Sequence, residues 1–221
     1  MENRKSRKDN SLSKFVYQAI YKRILTGNLQ PGNKITETNI SGTMGISRSP
    51  VREAFKRLSE DRLVVLVPHS GCYITDLKPE EIREIYEIRQ RLECMALEYA
   101  LDRFDIEELK KIKNQFLACR KLSSTAMVKK ETKLDSELHN LIAQKSGCPN
   151  LQEMLEKLRA RVEVFRVREA NDSKRAKEAQ EEHLKILNAI LSKNKTRAIK
   201  ELEHHIARTM KNVLNNLKNS N

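Results

Sequence analysis

Ile46-Ser47-Arg48-Ser49-Pro50-Val51-Arg52-Glu53-Ala54-Phe55-Lys56-Arg57-Leu58 is the stretch on which the fold turns. Ser47 can cap the start of a helix, its hydroxyl accepting a backbone N–H that the first turn leaves free. Pro50 fits that turn, where no backbone donor is needed. Val51, Ala54, Phe55 and Leu58 fall at helical spacing and form one apolar stripe. Arg48, Ser49, Arg52 and Lys56 lie off the stripe, and the three bases, four apart in turn, share a second face. A helix with an apolar back and a basic front starting at its N-terminus has the design of a recognition helix, which packs on its own domain and offers its first residues to base edges and phosphates. An ordinary surface helix with solvated arginines has the same pattern, and only the neighbouring sequence separates the two.

Before this stretch, Phe15, Val16, Ala19, Ile20, Ile24 and Leu25 keep helical period from Ser13 to Leu25, and Thr26-Gly27-Asn28 ends that helix. Pro31-Gly32 makes a turn, Thr36 can cap a short second helix carrying Ile40 and Met44, and Gly45 breaks it. Helix, glycine-containing turn and amphipathic helix are the parts of a helix-turn-helix. After it, Leu63 to Val67 is a β-branched run, Pro68-His69-Ser70-Gly71 a turn, and Cys72 to Thr75 a second short strand. A hairpin directly after a recognition helix is a wing, whose tip, with His69 and Gly71, can approach DNA; His69 is equally an ordinary polar turn residue. Residues 1–12, with Arg4, Lys5, Arg7 and Lys8, are expected to be a disordered basic tail, either solvated or touching phosphates.

The 221 residues carry 43 Lys/Arg against 30 Asp/Glu, a formal net charge of +13. That balance favours a polyanion, nucleic acid before an anionic membrane surface. Residues 1–75 hold 13 of the bases against 6 acids, and residues 76–221 hold 30 against 24, so the excess is densest in the N-terminal part. No apolar run approaches the ~18–20 residues that span a membrane, and the polar first residues form no signal-peptide core. Cys72, Cys94, Cys119 and Cys148 are widely spaced and read as reduced thiols of a cytoplasmic protein.

Asp76 to Pro79 is a short linker. Beyond it the periodicity predicts six helices: one begun by Glu80-Glu81 and running to Ala96, then Ile106–Leu122, Leu134–Lys145, Leu151–Arg168, Ala179–Leu191 and Thr196–Leu217, an all-α bundle. The fold expected is thus mainly α, with a winged helix-turn-helix over 13–76 and a helical domain over 79–218. Asp135 and His139, four apart, share a face of the third of these helices, while His183 and His205 sit on the fifth and sixth. One carboxylate and three imidazoles meeting inside a bundle would suit Zn²⁺, Ni²⁺, Mn²⁺ or Fe²⁺. Spacing alone does not show that they meet, and three unrelated histidines remain the alternative.

Residues 13–75 resemble the winged helix-turn-helix of the GntR family of bacterial transcription regulators. The resemblance runs through Ile24-Leu25-Thr26-Gly27, Leu29-Gln30-Pro31-Gly32, Gly45 to Ala54, and the Leu63–Gly71 wing. It implies DNA contacts from Arg48, Ser49 and Arg52, with Gly71 at the wing tip; Lys56 and His69 join them from the residue reading. Many members of the family have an arginine where this chain has Thr38, so the preferred operator should differ. Residues 79–218 resemble the FCD effector-binding domain of FadR-like GntR regulators, through Glu84–Arg89 with Leu92-Glu93, Asp135–His139 leading to Ser146–Pro149, Glu182-His183 with Ile186-Leu187, and His205-Ile206. That resemblance implies a metal, zinc or nickel first and manganese or iron next, on Asp135, His139, His183 and His205. His205 fits the motif better than its neighbour His204, because an isoleucine follows it. Six helices rather than seven point to the VanR-like branch. The resemblance places Arg89 at a pocket, where its guanidinium can clamp a carboxylate; a salt bridge to a nearby glutamate is the alternative.

The function implied is a cytoplasmic, dimeric repressor that binds a palindromic operator in double-stranded DNA and senses a small carboxylate, a sugar acid or dicarboxylate, at the metal. In a second reading the metal itself is the signal. A third, a metal-dependent hydrolase, finds no H-E-x-x-H helix and no separate general base, so an enzyme is not expected.

Overall fold

Helix α3 (Arg48–Glu60) buries the stripe read from its sequence: Val51, Ala54, Phe55 and Leu58 are all at most 3 % exposed, while Arg48, Ser49, Arg52 and Lys56 are exposed. The computed structural model describes residues 2–166 and 173–219. Two compact units result, residues 1–78 with 160–167 and residues 79–159 with 168–221.

In the first unit α1 (Glu2–Leu25) packs on α3 through Val16, Ile20 and Ile24, all buried. The helix begins at Glu2, where the sequence reading began it at Ser13. Residues 2–12, expected as a disordered tail, therefore continue the helix, since Lys, Arg and Glu are good helix formers and neither Gly nor Pro interrupts them; Met1 lies outside the described residues. Helix α2 (Glu37–Met44) starts at Thr36, whose hydroxyl accepts from the Asn39 N–H at 3.2 Å. It ends at Gly45, in the left-handed region at φ 65°, a conformation that costs glycine little. Ser47 takes the N-cap position of α3, but its side chain makes no capping hydrogen bond, contrary to expectation.

Strand β2 (Val64–Val67) pairs antiparallel with β3 (Gly71–Ile74), Val67 facing Gly71, and this is the expected hairpin. A short strand, β1 (Lys34–Ile35), pairs with the other side of β3 and completes a sheet of order β1-β3-β2. Periodicity could not show it, because two residues carry no period. At the tip, His69 has φ 59° and Gly71 φ 130°. A Cβ on Gly71 would lie 3.2 Å from the Lys34 side chain and 3.5 Å from the Ile35 carbonyl oxygen, so both its backbone and its lack of bulk matter there.

After residue 78 the described residues form six helices: α4 (Pro79–Ala100), α5 (Ile106–Cys119), α6 (Ser124–Lys145), α7 (Pro149–Arg166), α8 (Ser173–Leu191) and α9 (Lys195–Asn219); all lie in the second unit except the part of α7 from Ala160 on, which falls in the first. The fold is therefore mainly α, a winged helix-turn-helix followed by an all-helical bundle, as read from the sequence. Helix α6 starts at Ser124 rather than Leu134. The run Lys129 to Lys133 hid the continuation of its stripe, in which Met127, Val128 and Glu131 are buried with Leu134 and Leu138. Helix α8 likewise begins before Ala179; the end expected for the fourth helix at Arg168 lies outside the described residues. Gly147, at φ 67°, closes α6, and the Arg103 guanidinium occupies the space a Cβ would need. Helices α4 and α8 each pack on both α6 and α9, which brings the faces carrying Asp135, His139, His183 and His205 together.

Candidate metal centre and nucleic-acid interface

Asp135 and His139 project from one face of α6, His183 comes from α8 and His205 from α9. All four are at most 3 % exposed, and one ligand atom from each lies within 4.8 Å of the others. The three Nε2 atoms surround a single oxygen. From Asp135 Oδ1 the distances are 3.2 Å to His183, 3.5 Å to His205 and 3.6 Å to His139. Four N/O ligands placed tetrahedrally at ~2.0–2.2 Å from a first-row divalent ion stand about 3.3–3.6 Å apart, which the three distances from Asp135 Oδ1 approach. Among the described residues, His139 Nε2 and His183 Nε2 are buried with no hydrogen-bond partner, an arrangement that costs free energy unless something else meets them. The residues present fit a divalent metal. His204, one residue before His205, is exposed, while His205 is buried in the cluster, as the 100° between successive helical side chains requires.

The other face of each imidazole meets a buried glutamate that sequence reasoning did not assign to the site. Glu93 of α4 accepts from His139 Nδ1, and Glu182 of α8 accepts from His205 Nδ1 at 2.8 Å. Glu131 of α6 places Oε1 3.1 Å from His183 Nδ1, off the hydrogen-bonding axis. The signal for Glu131 was present, since it falls on the stripe of Met127, Val128 and Leu134. The His183 ring stacks on Phe116 with centroids 4.9 Å apart, which fixes its plane.

Burial pulls His139 down to about 4, against the opposing charges of Glu93 and Asp135, so it is neutral and ready to ligate at neutral pH. Burial pulls His183 down too, but the carboxylates of Asp135 and Glu131 beside its two nitrogens outweigh it and push the ring up to about 9. Burial would raise Glu93, yet the charges of His139, Arg89 and Arg159 hold it well below the usual carboxylate range. With His139 neutral, the two guanidinium groups are what keep Glu93 ionised. Glu182 is drawn down to about 2, burial being overcome by hydrogen bonds from His205 and Arg175.

Arg89 is 3 % exposed, and its Nε and Nη2 both donate to Glu93 Oε1 at 2.9 and 2.8 Å. The structure thus shows the glutamate salt bridge that the sequence left as one of two options.

On the first unit, Arg48, Ser49, Arg52, Lys56 and His69 are exposed and Gly71 is half-buried. Arg52 is not a free cation. Its Nε and Nη2 donate to the two carboxylate oxygens of Glu37 on α2, each at 2.9 Å. This bidentate pair lowers the Glu37 carboxyl and raises Arg52, and it holds one guanidinium edge while α3 presents the rest outward. Glu37 was not foreseen, because a pair fifteen residues apart has no local spacing rule.

Residues 84–208 match the FCD domain family, and residues 12–74 match the family described as bacterial regulatory proteins, gntR family. The chain is 31 % identical to the uncharacterized HTH-type transcriptional regulator YdhC of Bacillus subtilis, over 86 % of this chain and 85 % of that one. It is 23 % identical to the HTH-type transcriptional repressor RspR of Escherichia coli, over 90 % of this chain and 87 % of that one. The structure of McbR/YncC from Escherichia coli has the same fold, with a TM-score of 0.79 at 23 % identity, covering 95 % of this chain and 99 % of that one.

Proposed function

The chain belongs to the GntR family of bacterial regulatory proteins and carries an FCD domain, as FadR-like members do, and from that premise we propose that it is a metal-dependent repressor responsive to a small organic acid. It is a transcription regulator of that family and not an enzyme. The observation that carries the finer reading is the ring of three Nε2 atoms around Asp135 Oδ1 at 3.2–3.6 Å. Asp135, His139, His183 and His205 would hold the ion, zinc or nickel in preference to manganese or iron. Bound there, it would supply Lewis-acidic positions for the oxygens of a sugar acid or dicarboxylate. For Arg89 to receive that acid's carboxylate, it must first release Glu93.

Residues 13–76 are the DNA-binding part in this reading. Arg48, Ser49 and Arg52, with Lys56 behind them, meet a palindromic operator from α3, and His69 and Gly71 meet the backbone from the wing. Residues 79–218 hold the effector site and the dimer contact. Ile88, Met95 and Tyr99, 41, 38 and 49 % exposed, line one face of α4 although its opposite face is already buried in the bundle. A second copy of the chain covering that face explains an apolar stripe left in water. Six helices among the described residues after residue 78 support the VanR-like branch as part of this reading. The repressor sense follows the naming of RspR. Among the described residues, no helix is long and apolar enough to cross a membrane. The depth of the cluster favours one second reading, a regulator for which the metal is itself the signal.

Thermal unfolding of chelator-stripped protein separates these readings. Zn²⁺ or Ni²⁺ should raise the melting temperature, and one member of a panel of small carboxylates should raise it further and weaken operator binding. A metal shift with no acid response transfers the signal to the metal, and no metal shift overturns the site.

A further inference from the structure

We infer that three buried glutamates, Glu93, Glu131 and Glu182, are the positioning residues of the cluster, one for each ligand histidine. The inference rests on the metal-binding reading and goes beyond its ligand set. Each imidazole divides its two nitrogens in the same way. Nε2 faces Asp135 Oδ1, and Nδ1 faces a carboxylate from a different position: Glu93 for His139, Glu131 for His183, Glu182 for His205. A neutral imidazole that ligates through Nε2 keeps its proton on Nδ1, and inside a protein that proton needs an acceptor. A carboxylate there fixes the tautomer, fixes the ring's orientation and makes the ligating nitrogen more basic. Helix α4 supplies no ligand; it reaches the cluster through Glu93.

Burying three carboxylates is costly unless each is compensated. Glu93 is met by Arg89 at 2.8 Å and by Arg159 at 3.6 Å, and Arg159 also donates to the His139 carbonyl at 2.6 Å. Glu182 is met by Arg175 at 3.0 Å and, through its other oxygen, by Arg208 at 2.8 Å. Glu131 differs. It is 4 % exposed, and among the described residues its ion-pair partner is His183. Its charge is therefore answered through the ring it faces, whose Nδ1–H would be a stronger donor toward Glu131 with a cation held at Nε2. Because Glu131 pairs with no arginine among the described residues, substituting it perturbs the histidine without stranding one of their buried guanidinium groups.

The test compares Glu131→Ala and Glu131→Gln with wild type in the full-length protein, with Glu137→Gln, a half-exposed carboxylate of the same helix, as control. Zn²⁺ dissociation constants come from competition with a chelator, and Co²⁺ absorption and ¹⁵N spectra of the histidines report the ligands. Glu131→Ala should weaken metal binding by roughly 10–100-fold, and Glu131→Gln by less, since its amide oxygen still accepts the Nδ1–H. Glu137→Gln should bind as wild type does, and loaded wild type should show three histidines protonated at Nδ1. Where Glu131→Ala fails to fold, Glu131→Gln decides alone. Metal bound as tightly by both Glu131 variants, with the Co²⁺ spectrum unchanged, overturns the inference and leaves the metal site intact. Wild type that binds no metal removes both.

Discussion

Replacing His183 by alanine should abolish most of the stabilisation that a metal confers, and the structure sets how much. Apparent binding free energies of structural zinc run to ~10–16 kcal/mol, so one ligand of four carries about 3–4 kcal/mol, or roughly 10²–10³ in affinity. His183 has a full share: it is wholly buried, and its Nε2 is the nearest of the three to Asp135 Oδ1. At a free metal concentration about a hundredfold above the wild-type dissociation constant, the native state gains ~2.7 kcal/mol; a variant weakened a hundredfold or more gains at most ~0.4 kcal/mol. For a chain of this length those gains correspond to about 5–11 °C and at most about 2 °C in melting temperature. The assay is thermal unfolding of stripped protein with and without Zn²⁺ at that single concentration. The variant's metal-free baseline will also fall, because the ring stacked on Phe116 is lost; the quantity compared is the metal-induced increment, which that loss does not enter. His204→Ala, altering an exposed neighbour of a ligand, should keep the full increment. An undiminished increment in His183→Ala would refute the ligand assignment. The same result in His205→Ala, with loss in His204→Ala, would show that the α9 register is wrong.

On the DNA side, Arg52→Ala should weaken operator binding roughly 10–100-fold and relax preference at one base pair; an equal loss on every sequence would make Arg52 a phosphate contact. Glu37→Gln should leave the melting temperature almost unchanged, because the Arg52 partner is 68 % exposed and solvent screens such pairs, yet blur base preference by freeing the guanidinium. Unaltered preference in Glu37→Gln would separate that pair from recognition. Burial pushes the thiols of Cys72 and Cys94 up to about 12 from an ordinary 9.0. Below pH ~9 both thiols are neutral whether folded or not and their stability contribution is complete; above it the unfolded thiol ionises first, so each should cost ~1.4 kcal/mol per pH unit until the folded value is reached. Chemical unfolding at about pH 8 and about pH 10, with Cys72→Ala to remove one share, measures this, and a pH-independent stability would contradict it.

What could be read from the sequence divides along a physical line. Local patterns were legible. The α3 stripe is a repeat within thirteen residues, and Thr36 and Gly45 bound α2 by chemistry that acts within one turn. Asp135 and His139 share a face by helical spacing alone. Patterns that exist only after packing were not. Lys34 and Ile35 are a strand because β3 lies beside them, and no property of the dipeptide announces it. The distance from His183 to Asp135 is set by how α6 and α8 pack, so the residue reading could offer the ligands only as four candidates, and the family resemblance, not the spacing, joined them. The glutamates were hidden for a further reason. In a chain one-third charged, an acidic residue is expected in water; only following the α6 stripe through Lys129–Lys133 shows Glu131 at a core position.

In the function proposed above, ligand recognition at the cluster and DNA recognition at α3 would become regulation only through a difference in affinity. An acid that binds the free and the operator-bound protein equally well cannot release DNA, however tightly the metal holds it. If the acid weakens operator binding tenfold, the operator must weaken acid binding tenfold, about 1.4 kcal/mol in each direction. The charge distribution says which part of DNA binding can respond. The dense basic excess of residues 1–75 attracts any duplex and is screened by salt alike in both states. Discrimination rests instead on a few oriented contacts, and in a dimer on the separation of two α3 helices, where a small displacement loses specific contacts while leaving phosphate attraction nearly whole. An effector response should therefore appear as a loss of operator preference at nearly constant affinity for random DNA, and a response of equal size on both would place the coupling in net charge rather than in geometry.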